Sequence, residues 1–298
     1  MKVVIAGGSG FIGQHITDLL VENGHEIIIL SRNEKPDSEN LKYVLWLQEG
    51  AVPEKVIGEP DVFINLAGVS INDGRWSEAH QKRIYDSRME AADELIRMIG
   101  KMNIKPSLFI NASAIGIYPA SETAMYTEES TEVATDFLGR TVNDWEKKAA
   151  TLNDLGIRTV YTRFGLVLGK DEGALPLMVL PYKMYVGGRV GSGRQWVSWV
   201  HVRDVARAVL HVMQNGQLEG AVNVTAPFPL RMDEFGKMIG ATMRRPHWLP
   251  VPSAVMKLAL GKKSSLVLEG QYVKPEKLLA DGFEFDFPIP SLALENLL

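Results

Sequence analysis

The sequence predicts an α/β protein in which a doubly wound parallel sheet is followed by a smaller C-terminal lobe. Through the first half of the 298 residues, short β-branched runs alternate with longer amphipathic segments, a pattern typical of parallel strands joined by helices. The first run leads directly into a glycine-rich loop at residues 7–13. Gly, Pro and aromatic residues interrupt the pattern in the second half. A glycine-rich turn between the first strand and the first helix indicates that the sheet is of the Rossmann type.

Each strand of the first half is a short, mostly apolar run, and each helix is a longer segment with apolar residues at helical spacing. The pattern predicts strands at 3–6, 26–30, 43–46, 61–66, 108–112 and 158–164. It predicts helices at 11–23, 77–100 and 137–155, with Gly24 ending the first of them. Strands that alternate with helices in this way form right-handed strand–helix–strand units.

The second half of the chain is less regular than the first. Gly, Pro and aromatic residues cluster at 169–199, and 246–252 is extended and broken by prolines. Helices are predicted at 202–213 and 232–243, and a strand at 221–224. We therefore expect a dinucleotide-binding domain at 1–168 and a smaller substrate lobe at 169–298, interleaved with returning pieces of the main sheet.

Composition excludes several classes of protein. The net charge is −4 and the pI is near 5.9, whereas a nucleic-acid binder needs a basic face. No apolar run reaches 18 residues, so we expect no membrane partner. The chain has no cysteine, and its six histidines show no ligand-like spacing, so we expect no metal site. No signal-like segment precedes the first strand, and a cytoplasmic protein is expected.

The loop after the first strand carries the most specific signal. It reads Gly7-Gly8-Ser9-Gly10-Phe11-Ile12-Gly13, which contains two overlapping dinucleotide-binding spacings. One glycine permits the tight turn, one lets the backbone approach a pyrophosphate, and the last lets the helix pack against the strand. The free N–H groups of the helix then face the phosphates. We predict cofactor contacts at Gly7, Gly10, Phe11, Ile12 and Gly13.

The end of the second strand distinguishes the two nicotinamide cofactors. An Asp or Glu at this place holds the ribose hydroxyls of NAD, but the chain reads Leu30-Ser31-Arg32. A guanidinium can pair with a 2′-phosphate and stack on adenine. The sequence therefore predicts NADP(H), with Ser31 and Arg32 as contacts. The alternative is that Arg32 is an ordinary solvated surface residue.

The chain resembles the extended short-chain dehydrogenase/reductase superfamily, the group of the nucleotide-sugar epimerases and dehydratases. More narrowly, it is similar to the atypical bacterial branch called epimerase family proteins. The motifs that carry this resemblance are 7–13, 65–68, 85–88, 109–118, 144–146, 163–169, 191–195, 199–206, 268–271 and 282–283. The resemblance implies further cofactor contacts at Leu66, Ala67, Gly68, Arg88 and Val167. It also implies a small-molecule substrate, with a sugar nucleotide and a homodimer as family expectations.

The catalytic residues of that superfamily are missing from this sequence. Its members use Tyr-x-x-x-Lys, in which the Lys lowers the pKa of the Tyr, together with a Ser or Thr. In the corresponding helix, one register places Phe137 and Thr141 at the two positions, and the other places Leu138 and Val142. The remaining candidates for catalysis are Ser113, which ends a strand, Tyr118 in the following loop, and His201 before a helix.

A basic, glycine-rich stretch at 187–199 is the candidate substrate loop. Guanidinium groups on flexible backbone suit a phosphate or a carboxylate, and we predict substrate contacts at Arg194, Gln195 and Trp199. The alternative is a surface loop with hydrophobic anchors. The leading hypothesis is an NADP(H)-dependent oxidoreductase or epimerase-like enzyme. The alternative, which the missing Tyr and Lys favour, is a catalytically inactive NADP(H)-binding regulatory or sensor protein.

Overall fold

A computed structural model describes residues 1–74 and 76–298 of the chain. Within these residues the strands are β1 (Lys2–Ala6), β2 (Glu26–Ser31), β3 (Leu41–Leu45), β4 (Val62–Asn65), β5 (Leu108–Ala114), β6 (Met125–Tyr126), β7 (Arg158–Phe164), β8 (Leu166–Leu168), β9 (Trp196–Val197), β10 (Trp199–His201), β11 (Gly220–Val224), β12 (Leu230–Arg231) and β13 (Tyr272–Val273). The α-helices are α1 (Phe11–Glu22), α2 (Glu78–Lys101), α3 (Phe137–Ala150), α4 (Leu175–Lys183), α5 (Val202–Gln214), α6 (Met232–Met243), α7 (Ser253–Leu260), α8 (Ser265–Leu268), α9 (Glu276–Ala280) and α10 (Pro290–Leu297).

Seven parallel strands form the central sheet, in the order β11-β7-β5-β4-β1-β2-β3. Strand β1 lies inside the sheet, where Val3 pairs with Ile27 of β2 on one side and with Val62 of β4 on the other. The chain thus builds outward in both directions from β1, and the connections that follow β1 and β4 lead to opposite edges of the sheet. In open α/β sheets ligands bind in the crevice at such a switch point. The predicted doubly wound parallel sheet is confirmed.

Helices cover both faces of this sheet because the side chains of each strand alternate between faces. Val3 belongs to the apolar cluster that includes Ile16 of α1 and Val209 of α5. Its neighbour Val4 belongs to a second cluster with Leu95 of α2. The strands are therefore apolar at nearly every position, as expected for a sheet that is buried on both sides.

The residues after 168 form a third apolar cluster and also return to the sheet. Leu175 of α4, Phe235 of α6 and Leu294 of α10 pack together in this cluster, apart from the sheet. Strand β11 forms one edge of the main sheet and α5 packs against α1. The domain boundary at residue 168 stays a prediction, since strands from both sides of it share one sheet.

The predicted elements agree with the structure to within a few residues, but the short strands β6, β8, β9, β10, β12 and β13 and several helices lie where none was predicted. The predicted helix 137–155 ends as α3 at Ala150 and continues as a 3-10 turn, Thr151–Leu155. Helix α4 was not predicted because Pro176 and Pro181 interrupt its short sequence. Helices α7 to α10 also lie in segments for which no helix was predicted. In the described part of the chain, no helix is both long and apolar enough to cross a bilayer.

Candidate functional site

Two glycines of the loop after β1 are required by close packing. The backbone of Gly7 is left-handed, with φ of 82°, and a Cβ there would lie 2.8 Å from the carbonyl carbon of Leu66. A Cβ on Gly13 would lie 2.3 Å from the carbonyl oxygen of Gly7. Any side chain at either place would collide with backbone. Gly7 thus lets the loops after β1 and β4 come into contact at the switch point of the sheet, and Gly13 lets α1 pack against the loop after β1.

Gly10 has a different environment from the other two glycines. A Cβ on it would meet only the Gly7 carbonyl oxygen, at 3.5 Å, so the space above this residue is open. Gly10 is the N-cap of α1, no described side chain caps the helix, and the first turn contains no acid. The N–H groups of Phe11, Ile12 and Gly13 are therefore available to an anion. This arrangement fits the pyrophosphate of a dinucleotide.

The end of β2 presents an unpaired cation. Ser31 forms a tight turn in which its hydroxyl donates to the Asn33 carbonyl at 2.7 Å and accepts from the Asn33 N–H at 3.2 Å. Arg32 lies within that turn and is exposed. Its carbonyl accepts from Gln48, but its guanidinium has no hydrogen bond or ion pair with the described residues. The guanidinium is thus free to meet a phosphate at this end of the crevice.

The loop after β4 is held by two buried amides. Asn65 donates through Nδ2 to Oδ1 of Asn111 at 2.8 Å, which ties the ends of β4 and β5 together. Oδ1 of Asn65 accepts from the N–H of Ala67 at 3.2 Å. Both asparagines are fully buried. The predicted contacts Leu66, Ala67 and Gly68 consequently lie on a fixed loop beside Gly7.

Arg88 of α2 reaches under this loop. A Cβ added to Gly68 would lie 3.0 Å from Cζ of Arg88. Nη1 of Arg88 donates to the carbonyls of Val69 at 3.1 Å and Ile84 at 2.9 Å. The guanidinium lies 5.2 Å from the centroid of the Trp145 ring. Burial lowers the pKa of Arg88 to about 10. No carboxylate among the described residues pairs with this cation, which places an uncompensated positive charge at the crevice.

Phe11 and Val167 meet on the other side of the loop. A Cβ on Gly169 would lie 2.5 Å from Cζ of Phe11, so the ring packs against the backbone that follows β8. Val167 pairs with Val200 of β10 and is half-buried. Ile12 packs against the main core. A Cβ on Gly173 would lie 2.9 Å from the Phe11 ring and 2.8 Å from the Val167 carbonyl oxygen, so these two residues are neighbours. The contact of residues 11, 12 and 167 with a cofactor stays a prediction.

Ser113 and Tyr118 belong to one buried hydrogen-bond network. The Ser113 hydroxyl donates to Oε1 of Glu146 at 2.5 Å. Arg163 donates to both carboxylate oxygens of Glu146, at 2.8 and 2.7 Å, and to the Tyr118 hydroxyl at 2.7 Å. The Tyr118 oxygen also lies 2.9 Å from Oδ1 of Asn223. Every member of this network is buried.

Within this network the hydroxyls of Ser113 and Tyr118 are both bonded to protein groups. Tyr118 is 1% exposed, and burial raises the pKa of its hydroxyl. The Ser113 hydroxyl is directed to a carboxylate whose charge Arg163 already compensates. The Tyr118 hydroxyl is enclosed by protein, and its role as a proton donor to a substrate stays a prediction.

The positions of the missing Tyr and Lys are apolar or engaged in both registers. Val142 is 5% exposed and packs with Tyr118 in a small apolar cluster. The side chain of Leu138 would lie 3.7 Å from a Cβ on Gly116, in the loop after β5. In the other register, the Thr141 hydroxyl donates to the Phe137 carbonyl. Neither register provides a phenol or an ammonium group.

His201 is a structural N-cap. Nδ1 accepts from the N–H of Arg203 at 3.0 Å, and Nε2 lies 3.2 Å from Oδ1 of Asn296. The ring stacks on Phe287 with centroids 3.9 Å apart. Burial lowers the pKa of His201 to about 4, so the ring is neutral at pH 7. Both ring nitrogens are occupied within the protein, and a catalytic role for His201 stays a prediction.

The predicted substrate residues divide into one exposed and two buried side chains. Trp199 is fully buried in the C-terminal cluster, and its indole donates to the Phe228 carbonyl at 3.2 Å. Gln195 is 3% exposed and donates to two carbonyls of the protein, at 3.1 and 2.8 Å. These two residues support the loop, and their contact with a substrate stays a prediction. Arg194 is exposed and pairs with Glu122 at 3.1 Å.

One polar cluster beside Arg194 was missed from the sequence. The guanidinium of Arg231 lies 3.5 Å from the centroid of the Trp196 ring, and its Nη2 donates to the Glu122 carbonyl at 3.0 Å. The indole of Trp196 donates to the same carbonyl. Arg231 and Glu122 are 109 residues apart, so no local motif could have paired them. The cluster joins the loop after Tyr118 to the C-terminal lobe.

The fold and the glycine loop at the switch point define an α/β protein with a site for a nicotinamide dinucleotide. The sequence profile described as the NAD dependent epimerase/dehydratase family matches residues 3–225. The chain belongs to this family. A domain of unknown function, DUF1731, matches residues 251–297.

Named relatives and a solved structure extend this result over the whole chain. Epimerase family protein YfhF of Bacillus subtilis is 46% identical over 299 residues, which cover all of this chain and 98% of that protein. Epimerase family protein SSP1921 of Staphylococcus saprophyticus is 40% identical, covering 99% of this chain and 98% of that protein. The crystal structure of a human epimerase family protein, SDR39U1 with NADPH, has a TM-score of 0.89 and 33% identity, and covers 100% of this chain and 99% of that one.

Proposed function

We propose that the protein binds NADP(H) in the crevice above the glycine loop, with Arg32 on the 2′-phosphate. The open space at Gly10 and the uncapped N-terminus of α1 suit the pyrophosphate. Arg32 has no competing partner among the described residues. The human epimerase family protein of the same fold was crystallised with NADPH, which supports the choice of cofactor for this chain.

Affinity for the two cofactors tests this part of the proposal. Calorimetric titration of the protein should show tighter binding of NADPH than of NADH. Replacing Arg32 by Ala should weaken NADPH binding by about 1.5–3 kcal/mol, the usual loss for a hydrogen bond to a charged group, and should leave NADH binding unchanged. Lys35→Ala, at an exposed lysine three residues further on, is the matched control. Equal affinities in the parent protein would contradict the assignment.

We further propose that the protein binds NADP(H) and a small anionic molecule as a reporter of cofactor state rather than as an epimerase. One observation carries this proposal: no phenol, ammonium or imidazole from the candidate set reaches the crevice. In both registers of α3 the expected acid–base positions lack Tyr and Lys, and the hydroxyl of Ser113 is directed to Glu146. Epimerases and dehydrogenases of this superfamily need a residue that gives or takes a proton.

A second candidate function is a slow NADPH-dependent reductase, and Arg88 is the observation that favours it. The bound cofactor would supply the hydride. An uncompensated guanidinium beside the loop at 66–68 could stabilise the oxyanion that forms when a carbonyl is reduced. The proton would then come from water, because no accessible side chain among the candidates provides it.

A single set of assays separates the two functions. Carbonyl compounds and sugar nucleotides are screened for NADPH oxidation, and the same compounds are screened for a change in the fluorescence of bound NADPH. The reporter function predicts fluorescence changes without turnover. The reductase function predicts turnover that is lost in Arg88→Met and kept in Ser113→Ala, Tyr118→Phe and His201→Ala. Loss of turnover in any of the last three, with cofactor binding intact, would contradict both proposals.

A further inference from the structure

Helix α4 has an unusual outer face. Its buried side packs into the C-terminal cluster through Leu175, Val179 and Tyr182. The opposite side carries Leu177 and Leu180, which are 63% and 51% exposed. Lys183 at the last position is the only charged residue of this helix. A surface helix normally has a polar outer face, whereas α4 is apolar all round.

The exposed apolar surface continues beyond the end of the helix. Met184 and Tyr185 follow α4 directly and are 64% and 54% exposed, and Trp248 is 62% exposed. The indole N–H of Trp248 donates to the Tyr185 carbonyl at 2.9 Å, so the exposed part of that ring is carbon. We call these five residues, Leu177, Leu180, Met184, Tyr185 and Trp248, the α4 patch.

The α4 patch is held in place. All five of its side chains are more than half exposed, and clustered exposed apolar side chains of this kind are often functional. Tyr185 has a left-handed backbone with φ of 62°, a conformation that a bulky residue adopts only when its surroundings impose it.

The charges carried by the two segments that form the α4 patch are positive, while Asp233, just outside them, is paired with Lys237 and His247. Residues 173–203 and 235–268, which include the patch, contain four and six Lys or Arg respectively, and no Asp or Glu. This is notable in a chain of net charge −4. Lys183 and Arg244 are exposed and have no ion pair within the described residues. Arg245 lies over the Tyr185 ring, 4.2 Å from its centroid.

We propose that the α4 patch docks the protein on an anionic phospholipid surface. Aliphatic residues with a Trp and a Tyr, bordered by Lys and Arg, are the chemistry that the boundary between headgroups and acyl chains selects. The cations supply attraction to the phosphates of anionic lipids. A second copy of the chain is a poorer occupant, because a two-fold contact would bring Lys183 and Arg244 against the same cations of the other copy.

This docking is a surface contact and needs no spanning helix. It therefore goes beyond the expectation, drawn from the absence of a long apolar run, that the protein has no membrane partner. The residues that form the α4 patch come from two segments more than 60 positions apart in the printed sequence, and a search for one apolar run cannot detect them. The proposal is independent of the cofactor and of any catalytic activity.

Vesicle sedimentation of the full-length protein tests the proposal. The protein should sediment with vesicles of phosphatidylglycerol and phosphatidylcholine, and should remain in solution with vesicles of phosphatidylcholine alone. Leu180→Ser/Met184→Ser should weaken binding at least tenfold. Lys183→Gln/Arg244→Asn removes two charges and should weaken binding roughly fivefold per charge, or about 25-fold. Asn is chosen at Arg244 because that residue has a left-handed backbone.

Matched controls separate docking from misfolding and from general charge effects. Val56→Ser/Lys55→Gln changes an exposed apolar residue and an exposed cation at the end of the 3-10 helix Pro53–Lys55, and should bind like the parent. Thermal stability and NADPH affinity should be unchanged in all three double variants. Three results would overturn the proposal: no binding to anionic vesicles, equal binding by the Leu180/Met184 variant, or self-association of the free protein that this variant abolishes.

Discussion

Replacing Glu146 by Gln should destabilise the protein strongly without changing its cofactor preference. The Glu146 and Arg163 side chains are each 10% exposed, and two nitrogens of Arg163 donate to the carboxylate at 2.7 and 2.8 Å. Gln keeps the shape but leaves the Arg163 charge buried and unpaired. Breaking a buried pair by removing one partner costs about 3–5 kcal/mol. At roughly 2 °C per kcal/mol for a chain of this size, the Tm should fall by about 6–10 °C.

Thermal unfolding of a double-mutant cycle tests the reasoning behind this value. Glu146→Gln, Arg163→Met and the double variant are compared with the parent protein in the absence of cofactor. The double variant should be more stable than Glu146→Gln, because it contains no unpaired charge. NADPH affinity, measured well below the lowered Tm, should change less than threefold. A loss below about 1 kcal/mol in Glu146→Gln would refute the assignment of a tightly coupled buried pair.

Three further predictions concern single residues. Gly10→Val should abolish NADPH binding, because its side chain would fill the space above the loop; circular dichroism should show an intact fold, and unchanged affinity in calorimetry would exclude this position for the pyrophosphate. His201 has its pKa lowered to about 4 by burial, so below its ordinary value near 6.5 the unfolded state binds a proton that the folded state does not. Stability should therefore fall as the pH drops from 6.5 towards 4, by on the order of 2–3 kcal/mol, and His201→Asn, which can still cap α5, should flatten that slope in denaturant titrations. Trp199→Ala should lower the free energy of unfolding by about 3–5 kcal/mol, because it deletes a core side chain. Unchanged stability together with loss of the ligand-induced change in NADPH fluorescence would instead indicate that Trp199 contacts a substrate.

The cofactor half of the site could be predicted from sequence because its signals are local. The turn at Gly7, the close approach at Gly13 and the open N-terminus of α1 all arise within a dozen consecutive residues. The residue that ends β2 is equally local, since the position of Arg32 follows from the length of one strand. In each case the chemistry depends on neighbours along the chain, which the sequence shows directly.

The catalytic and substrate half could not be predicted in the same way. Tyr118 is enclosed because Asn223, 105 residues away, meets its hydroxyl. His201 is occupied because Asn296, 95 residues away, accepts from it. His201 ends a strand and Tyr118 closely follows one. At such a position a polar side chain can face a cleft or belong to a buried network. Which of these it does depends on the distant segments that cover it.

Periodicity, glycine spacing and the residue at the end of one strand determined the α/β class, the parallel sheet and the location of a dinucleotide site. The tertiary structure alone decided which polar residues are buried, which cations lack a partner, and that the outer side of α4 is apolar and uncovered. The physical reason is the range of the interactions involved. Backbone conformation and the alternation of apolar side chains depend on a few adjacent residues, whereas burial and charge pairing depend on contacts between segments that are far apart in the chain.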